Sequence, residues 1–321
     1  MLSFSTDKNF THCHGCGLCT LVCPVWHQTR DIGCTPHGHA KAMQFGGDIN
    51  ADGLFGCVLC GACEPVCPED IELMSIMIGL RAKVANNSQS MSRDKSGVAG
   101  SQNKGNILLL ADESLCQQNA LLEQTLKLLS STTAVEQAQD NGSDITLALQ
   151  FGTTLPANRI DEFIDSIKHA SRLIVSNGLL KRVIQQRLPN IKIVSLGYAL
   201  SSLPGIRNKL GANDLYIIES QAYHADFNSM VTHYDELKRS RGCELNLDLQ
   251  RLAMPTGGLA HKTNQVSDKT VVCFDASKQG QWILQGLNIE RIVVENIDDG
   301  IVMKNVSDKP VIHVAELATS E

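Results

Sequence analysis

The chain has 321 residues, 43% of them hydrophobic, and a formal net charge of −6. That length suggests about two domains with room for a sizeable core, and the acidic balance offers no basic field to attract nucleic acid. No apolar run approaches the roughly 18–20 residues that span a bilayer.

The N-terminus, MLSFSTDKNFTHC, shows no basic region followed by an apolar stretch, so no secretory leader is expected and the setting read from the sequence is a reducing cytoplasm. Two cysteine runs of identical spacing follow: Cys13, Cys16, Cys19 and Cys23, then Cys57, Cys60, Cys63 and Cys67. Each reads C-x-x-C-x-x-C-x-x-x-C and each is followed at once by proline, Pro24 and Pro68. This is the spacing by which bacterial ferredoxins ligate [4Fe–4S] clusters, with the fourth cysteine of each run serving the other cube. It assigns Cys13, Cys16, Cys19 and Cys67 to one cluster, and Cys57, Cys60, Cys63 and Cys23 to the other. Disulfide frameworks belong to small secreted domains, and zinc sites need only two short-spaced pairs, so neither accounts for the pattern as well. Gly15, Gly17, Gly56 and Gly61 are expected to let backbone N–H groups approach sulfur. His12, His14, Trp26 and His27 flank the first cluster as candidates for tuning or shielding it.

Between Cys23 and Cys57 lie 33 residues, room for one or two helices. After the second run, Glu69 and Asp70 suit a helix N-terminus. Leu73, Met74, Met77 and Leu80 then form an apolar stripe at helical spacing, widened by Ile76 and Ile78, which predicts a buried helix.

CHGCGLCTLVCPVW, TPHGHAKA and LFGCVLCGACEPVCPEDIEL together resemble the helical dicluster ferredoxin module, over about residues 10 to 85. That module occurs in iron–sulfur subunits of heterodisulfide reductase, of glycolate oxidase and of anaerobic glycerol-3-phosphate dehydrogenase. It is also similar to the cluster-bearing half of succinate dehydrogenase iron–sulfur subunits. The resemblance implies an all-helical ferredoxin fold that passes electrons between a flavoprotein and another acceptor. Family members often carry arginine near the positions of His37 and His39, and histidine there would make local charge depend on pH. Several members continue into Cys-Cys-Gly domains, a motif this chain lacks. Cys116, Cys243 and Cys273 stand apart in sequence, which fits buried small side chains better than ligands.

Residues 84–105, VANNSQSMSRDKSGVAGSQNKG, are poor in residues to bury and read as a flexible linker. Beyond them, strands are predicted at Ile107–Leu110, Ile145–Leu149, Leu173–Val175, Ile191–Leu196, Leu215–Ile218, Val271–Phe274, Ile292–Val294 and Val311–Val314. Helices are expected around Ile160, Phe163, Ile164 and Ile167, and around Phe227, Met230, Val231 and Tyr234. Alternation of this kind predicts parallel β-α-β units. The expected fold is multidomain: an all-α dicluster ferredoxin domain at 1–83, the linker, then α/β Rossmann-like structure over 106–321, breaking into two halves near 220–265.

Ligands of open α/β sheets bind beyond the carboxyl ends of strands, which marks Asp112, Ser176-Asn177-Gly178, Glu219, Asp275 and Tyr223-His224. Ser, Asn and Asp at such places are also common helix caps, the favoured reading here. No G-x-G-x-x-G or P-loop supports nucleotide binding. PTGGLAHKTN (255–264) reads as a plain loop, and His224, His233 and His261 show no catalytic arrangement. The function expected is an electron-transfer subunit with two [4Fe–4S] clusters. Its partners would be a flavoprotein dehydrogenase or electron-transfer flavoprotein and a quinone-linked, membrane-associated acceptor. The alternative is a heterodisulfide-reductase-like oxidoreductase whose C-terminal domain holds its own substrate or third cofactor.

Overall fold

Proline after each cysteine run has a local reason in the first: Cys23 is the N-cap of a helix and Pro24 its first residue, where no intrahelical partner exists for an N–H. The computed structural model describes residues 9–49, 51–87, 105–131, 133–258 and 274–319. Its first part carries α1 (Leu18–Leu21), α2 (Pro24–Thr29), α3 (Pro36–Gln44), α4 (Ala51–Gly56) and α5 (Leu73–Asn87). Thr35 caps α3, accepting from the Gly38 N–H at 3.1 Å. Among the described residues no strand precedes Ile107, so this module is helical as expected. Residues 84–87, assigned to the linker by composition, are the last turn of α5; residues 88–104 lie outside the described part.

A first α/β half follows: β1 (Ile107–Leu110), α6 (Glu113–Cys116), α7 (Asn119–Leu129), β2 (Glu136–Gln137), α8 (Ser143–Phe151), α9 (Arg159–Ile167), β3 (Arg172–Val175), α10 (Gly178–Arg187), β4 (Lys192–Ser195) and α11 (Leu196–Ser201). After α12 (Pro204–Arg207) the plan repeats: β5 (Asp214–Ile217), α13 (Ser220–His224), α14 (Phe227–Arg241), β6 (Glu244–Leu245), α15 (Ala276–Leu284), β7 (Arg291–Val294), α16 (Ile297–Val306) and β8 (Val311–His313). Each half is a four-stranded parallel sheet, ordered β2-β1-β3-β4 and β6-β5-β7-β8. Register places like sequence at equivalent positions of the two halves. Ile107 pairs with Arg172 and Asp214 with Arg291, so RLIVSN at 172–177 and RIVVEN at 291–296 occupy equivalent places.

Two expectations are corrected, and a third lies almost wholly outside the described residues. Ile145–Leu149 is not a strand but the middle of α8; a short apolar run fits either element, and here Gly142 and Gly152 in left-handed conformation delimit a helix packed on α5. The break between halves falls between β4 and β5, ahead of 220–265. The predicted strand Val271–Phe274 lies outside the described residues except for Phe274, which is not in a strand.

The apolar stripe of α5 does not stay within its own module. Met74, Met77 and Leu80 share one core with Leu108 and Leu110 of β1, Ile145 and Leu149 of α8 and Leu173 of β3. A second core joins the halves through Leu109, Ile174, Tyr216, Ile218 and Val293. Strands buried on both faces in this way read as continuous apolar runs. The cysteine module also touches the second half, where Gln28 of α2 exchanges hydrogen bonds with the Asp275 backbone (3.0 and 2.7 Å).

Gly152 marks the tightest of these contacts: at φ +69°, an added Cβ would stand 2.3 Å from the Arg81 carbonyl carbon and oxygen. Gly286 has a similar φ of +78° with nothing within 4 Å. Alanine at either position carries roughly 1–2 kcal/mol of left-handed strain, but only Gly152→Ala also forces α5 off α8. Gly152→Ala should therefore lower the apparent melting temperature clearly more than Gly286→Ala; equal losses would contradict this packing.

Candidate metal centres

Both cysteine runs fold into the same turn. The residue before the second cysteine is left-handed in each, Gly15 at φ +85° and Leu59 at +51°, and so is the glycine after it, Gly17 at +77° and Gly61 at +82°. Glycine takes this conformation freely, whereas Leu59 takes it while fully buried. Gly56, expected to serve likewise, instead ends α4 and has no positive φ.

The turns aim thiols and amides at common spaces. Cys23, Cys57, Cys60 and Cys63 line one shared cavity, walled by Pro24, Pro36, Met74 and Met77. The N–H groups of Val25 and Trp26 are directed at the Cys23 sulfur, that of Leu59 at Cys57 and that of Ala62 at Cys60. Burial pushes the Cys60 thiol up to about 12 and that of Cys63 well above its usual range. The Cys19 thiol is pushed up to about 11 by burial and then by the nearby Cys13, Cys16 and Cys67. All eleven described cysteines are free thiols. Among the described residues no three His, Cys, Asp or Glu side chains converge as a single metal ion requires. Thiols from distant runs facing a shared cavity, with amide donors on their sulfurs, fit a cluster of several irons.

The two sets differ in surroundings. Around the first, Cys16 is exposed, as are Leu18 and Leu21. Lys41 Nζ and Gln44 Nε2 bond the Cys13 carbonyl at 2.7 and 2.9 Å, and His14 lies 3.4 Å from Glu69. His12 closes a short 3-10 turn, and His27 bonds the Leu21 carbonyl (2.6 Å) beside Trp282. Trp26 lies under Arg30. At the N-terminus of α5, Glu64 Oε1 accepts the Met74 N–H at 2.9 Å. The pH-dependent charge expected at His37 and His39 is not favoured, because burial lowers both imidazoles below their usual range and keeps them neutral at neutral pH.

Three residues without any motif reach the second set. Arg81 of α5 donates to the carbonyls of Leu54 (2.9 Å), Cys57 and Gln150 (2.7 Å). His224 of α13 accepts the Ala253 N–H on Nε2 (3.2 Å), so its Nδ1 carries the proton donated to the Cys60 carbonyl at 2.8 Å. Burial lowers this imidazole to about 4. Arg182 of α10 pairs with Glu64 at 2.6 Å.

Most polar residues at the strand ends are caps. Asp112, Asn177, Glu219 and Asp275 accept the first N–H groups of α6, α10, α13 and α15. Ser176 ties β3 to β1 through the Asp112 N–H (2.7 Å), Gly178 packs against Ala222, and Tyr223 bonds the Arg251 carbonyl (2.7 Å). His233 lies against Ser201 at 2.8 Å, while His261 and residues 259–264 of the expected loop are outside the described part. Cys116 is half-buried near Asn141 (3.7 Å) and Cys243 fully buried in the core; they are not brought together, and Cys273 is outside the described part. Cys34, not part of either run, is buried beside Asp31 (3.7 Å).

One constellation the sequence did not reveal lies beyond β5 and β7. Glu295 accepts from Tyr216 (2.8 Å), Tyr234 and the Glu219 N–H (2.9 Å), and Asp299 accepts from Thr256. Lys181, fully buried, donates to the Ala222 carbonyl at 3.2 Å. Burial raises Glu219 to about 8, and Glu295 and Asp299 each to about 7.

Residues 9–71 match the family model of the 4Fe-4S dicluster domain. No curated protein and no solved structure matches the chain. The N-terminal module is thus a ferredoxin-like iron–sulfur module, whose class of work is electron transfer. Among the described residues no helix is long and apolar enough to cross a membrane.

The buried acids have a pH signature. Their folded pKa values lie above those of the unfolded chain, so the folded state binds more protons and stability falls as pH rises from about 4.5 to about 8. Asp299→Asn should shrink the drop in apparent melting temperature between about pH 5.5 and 8; an unchanged drop would mean that Asp299 titrates as an ordinary surface acid.

Proposed function

We propose that this chain relays single electrons through two [4Fe–4S] clusters, taking them from a flavoprotein dehydrogenase or electron-transfer flavoprotein toward a quinone-linked acceptor. The ligand sets are Cys13, Cys16, Cys19 and Cys67, and Cys57, Cys60, Cys63 and Cys23. The observation that carries this reading is the meeting of Cys23 from the first run with Cys57, Cys60 and Cys63 from the second at one cavity. Bound there, the clusters supply one-electron chemistry at potentials set by burial, charge and hydrogen bonds to sulfur.

The chain's own residues do the rest. Amide donors from Val25, Trp26, Leu59 and Ala62 stabilise negative charge on sulfur. Met74, Met77, Pro24 and Pro36 keep water from the second set. The first set, with Cys16, Leu18 and Leu21 exposed, faces solvent and is the side a redox partner reaches. Residues 106–321, as degenerate Rossmann-like halves, serve as platform and scaffold. The nature of donor and acceptor rests on the resemblance of the cysteine module, and the cytoplasmic setting on its oxygen-sensitive chemistry.

A second reading keeps a substrate or third-cofactor site in the α/β part. It is favoured by the buried Glu295 and Lys181 and the half-buried Glu219 and Asp299 at the strand ends. Iron separates the two: about eight irons per chain follow from two cubes. The measurement is iron and acid-labile sulfide with potentiometric EPR on anaerobically purified protein. Two interacting one-electron centres support the relay; a third signal moves chemistry into residues 106–321. Cys63→Ser should damage one centre and interrupt the relay, and unchanged iron with unchanged EPR would refute the ligand assignment.

A further inference from the structure

Arg182, on α10 of the α/β part, reaches across to the wall of the second thiol set. Its Nη1 pairs with Glu64 Oε2 at 2.6 Å, across 118 residues of sequence. Glu64 is held in turn by the Met74 N–H at 2.9 Å. The remaining donors, Nε and Nη2, are buried without a hydrogen-bond partner among the described residues. Nη2 lies against the ligand loop, since a Cβ at Gly61 would stand 2.8 Å from it. Two orphaned guanidinium donors are expensive unless an anionic acceptor belongs beside them, and a guanidinium keeps its charge at any ordinary pH.

His224 and Arg81 offer no unmet donors at this wall, although Arg81 adds a second positive charge that acts on Cys57. His224 is committed to the Cys60 carbonyl and Ala253 N–H, and Arg81 spends its donors on the carbonyls of Leu54, Cys57 and Gln150. Glu64, adjacent to Cys63, acts on that thiol with the opposite sign from Arg182, whose charge acts on Cys60. The ion pair is therefore a dipole with both ends on one cluster wall.

We propose that Arg182 is a positioning residue that sets the reduction potential of the centre held by Cys23, Cys57, Cys60 and Cys63, raising it against the opposing charge of Glu64. This rests on the ligand sets proposed above. A fixed positive charge in a poorly hydrated site stabilises the state that has gained an electron, and a fixed negative charge destabilises it. Because Arg182 rides on α10 and Glu64 on the cysteine module, the potential reports how the module is seated on the first half.

The test is potentiometric EPR with iron analysis on the full chain, comparing Arg182→Gln, Glu64→Gln and the double variant. Arg182→Gln should shift one midpoint to lower potential, Glu64→Gln should shift the same midpoint to higher potential, and the double variant should fall between them. The other centre should not move in any of the three. A merely structural pair would give shifts of one sign, or none, and either result with iron retained overturns the inference. Should Arg182→Gln lose iron, Arg182→Lys and Glu64→Gln decide: an unmoved midpoint in both overturns it, and an upward shift in the latter with little change in the former supports it. Wild-type protein without two cluster signals would instead overturn the ligand reading itself, a failure visible before any variant is made.

Discussion

Arg81 lies 3% exposed in the middle of α5, and its guanidinium donates to main-chain carbonyls of Leu54, Cys57 and Gln150. Burial pulls its pKa down to about 10, which still leaves it charged at neutral pH. A buried charge of this kind is tolerable only when its donors are met. Three segments must therefore sit in fixed relation: the end of α4, the first ligand of the second cysteine run, and the end of α8. The same α5 supplies Met74 and Met77 to the thiol cavity and Leu80 to the core of the first sheet. Ligand geometry and domain packing are thus one mechanical problem.

The α/β part solves a related problem twice. Each half puts polar residues at the ends of its strands, and those residues are occupied as caps and cross-braces, leaving little to reach a ligand. Where the second half departs from the first, it does so with acid: Glu295 stands at the place of Ser176, while Glu219 keeps the acidic cap that Asp112 provides in the first half. The two halves share an architecture while the chemistry of their second strand ends differs.

Much of this was legible in advance. The cysteine runs declare themselves because ligation fixes spacing, and most strands do because burial on both faces demands unbroken apolar runs. Ile145–Leu149 misled for the same reason, an apolar run too short to show its period. The strands β2 and β6 went unseen, each a two-residue edge strand, Glu136 and Gln137 being exposed. Arg81, Arg182 and His224 could not be singled out, since each is an ordinary residue in a helix whose partner lies 24 to 164 positions away. The repeat was available in RLIVSN and RIVVEN, but only register makes a six-residue likeness meaningful.

The contact between His224 and the Cys60 carbonyl spans 164 residues, and chains are synthesised from the N-terminus at about 5–20 residues per second. For several seconds, then, the ligand loops exist on the ribosome without the wall that will cover them. Over that interval the second thiol set has an open approach that His224 and Arg182 later cover. The apolar stripe of α5 is covered sooner, once β1, α8 and β3 have emerged.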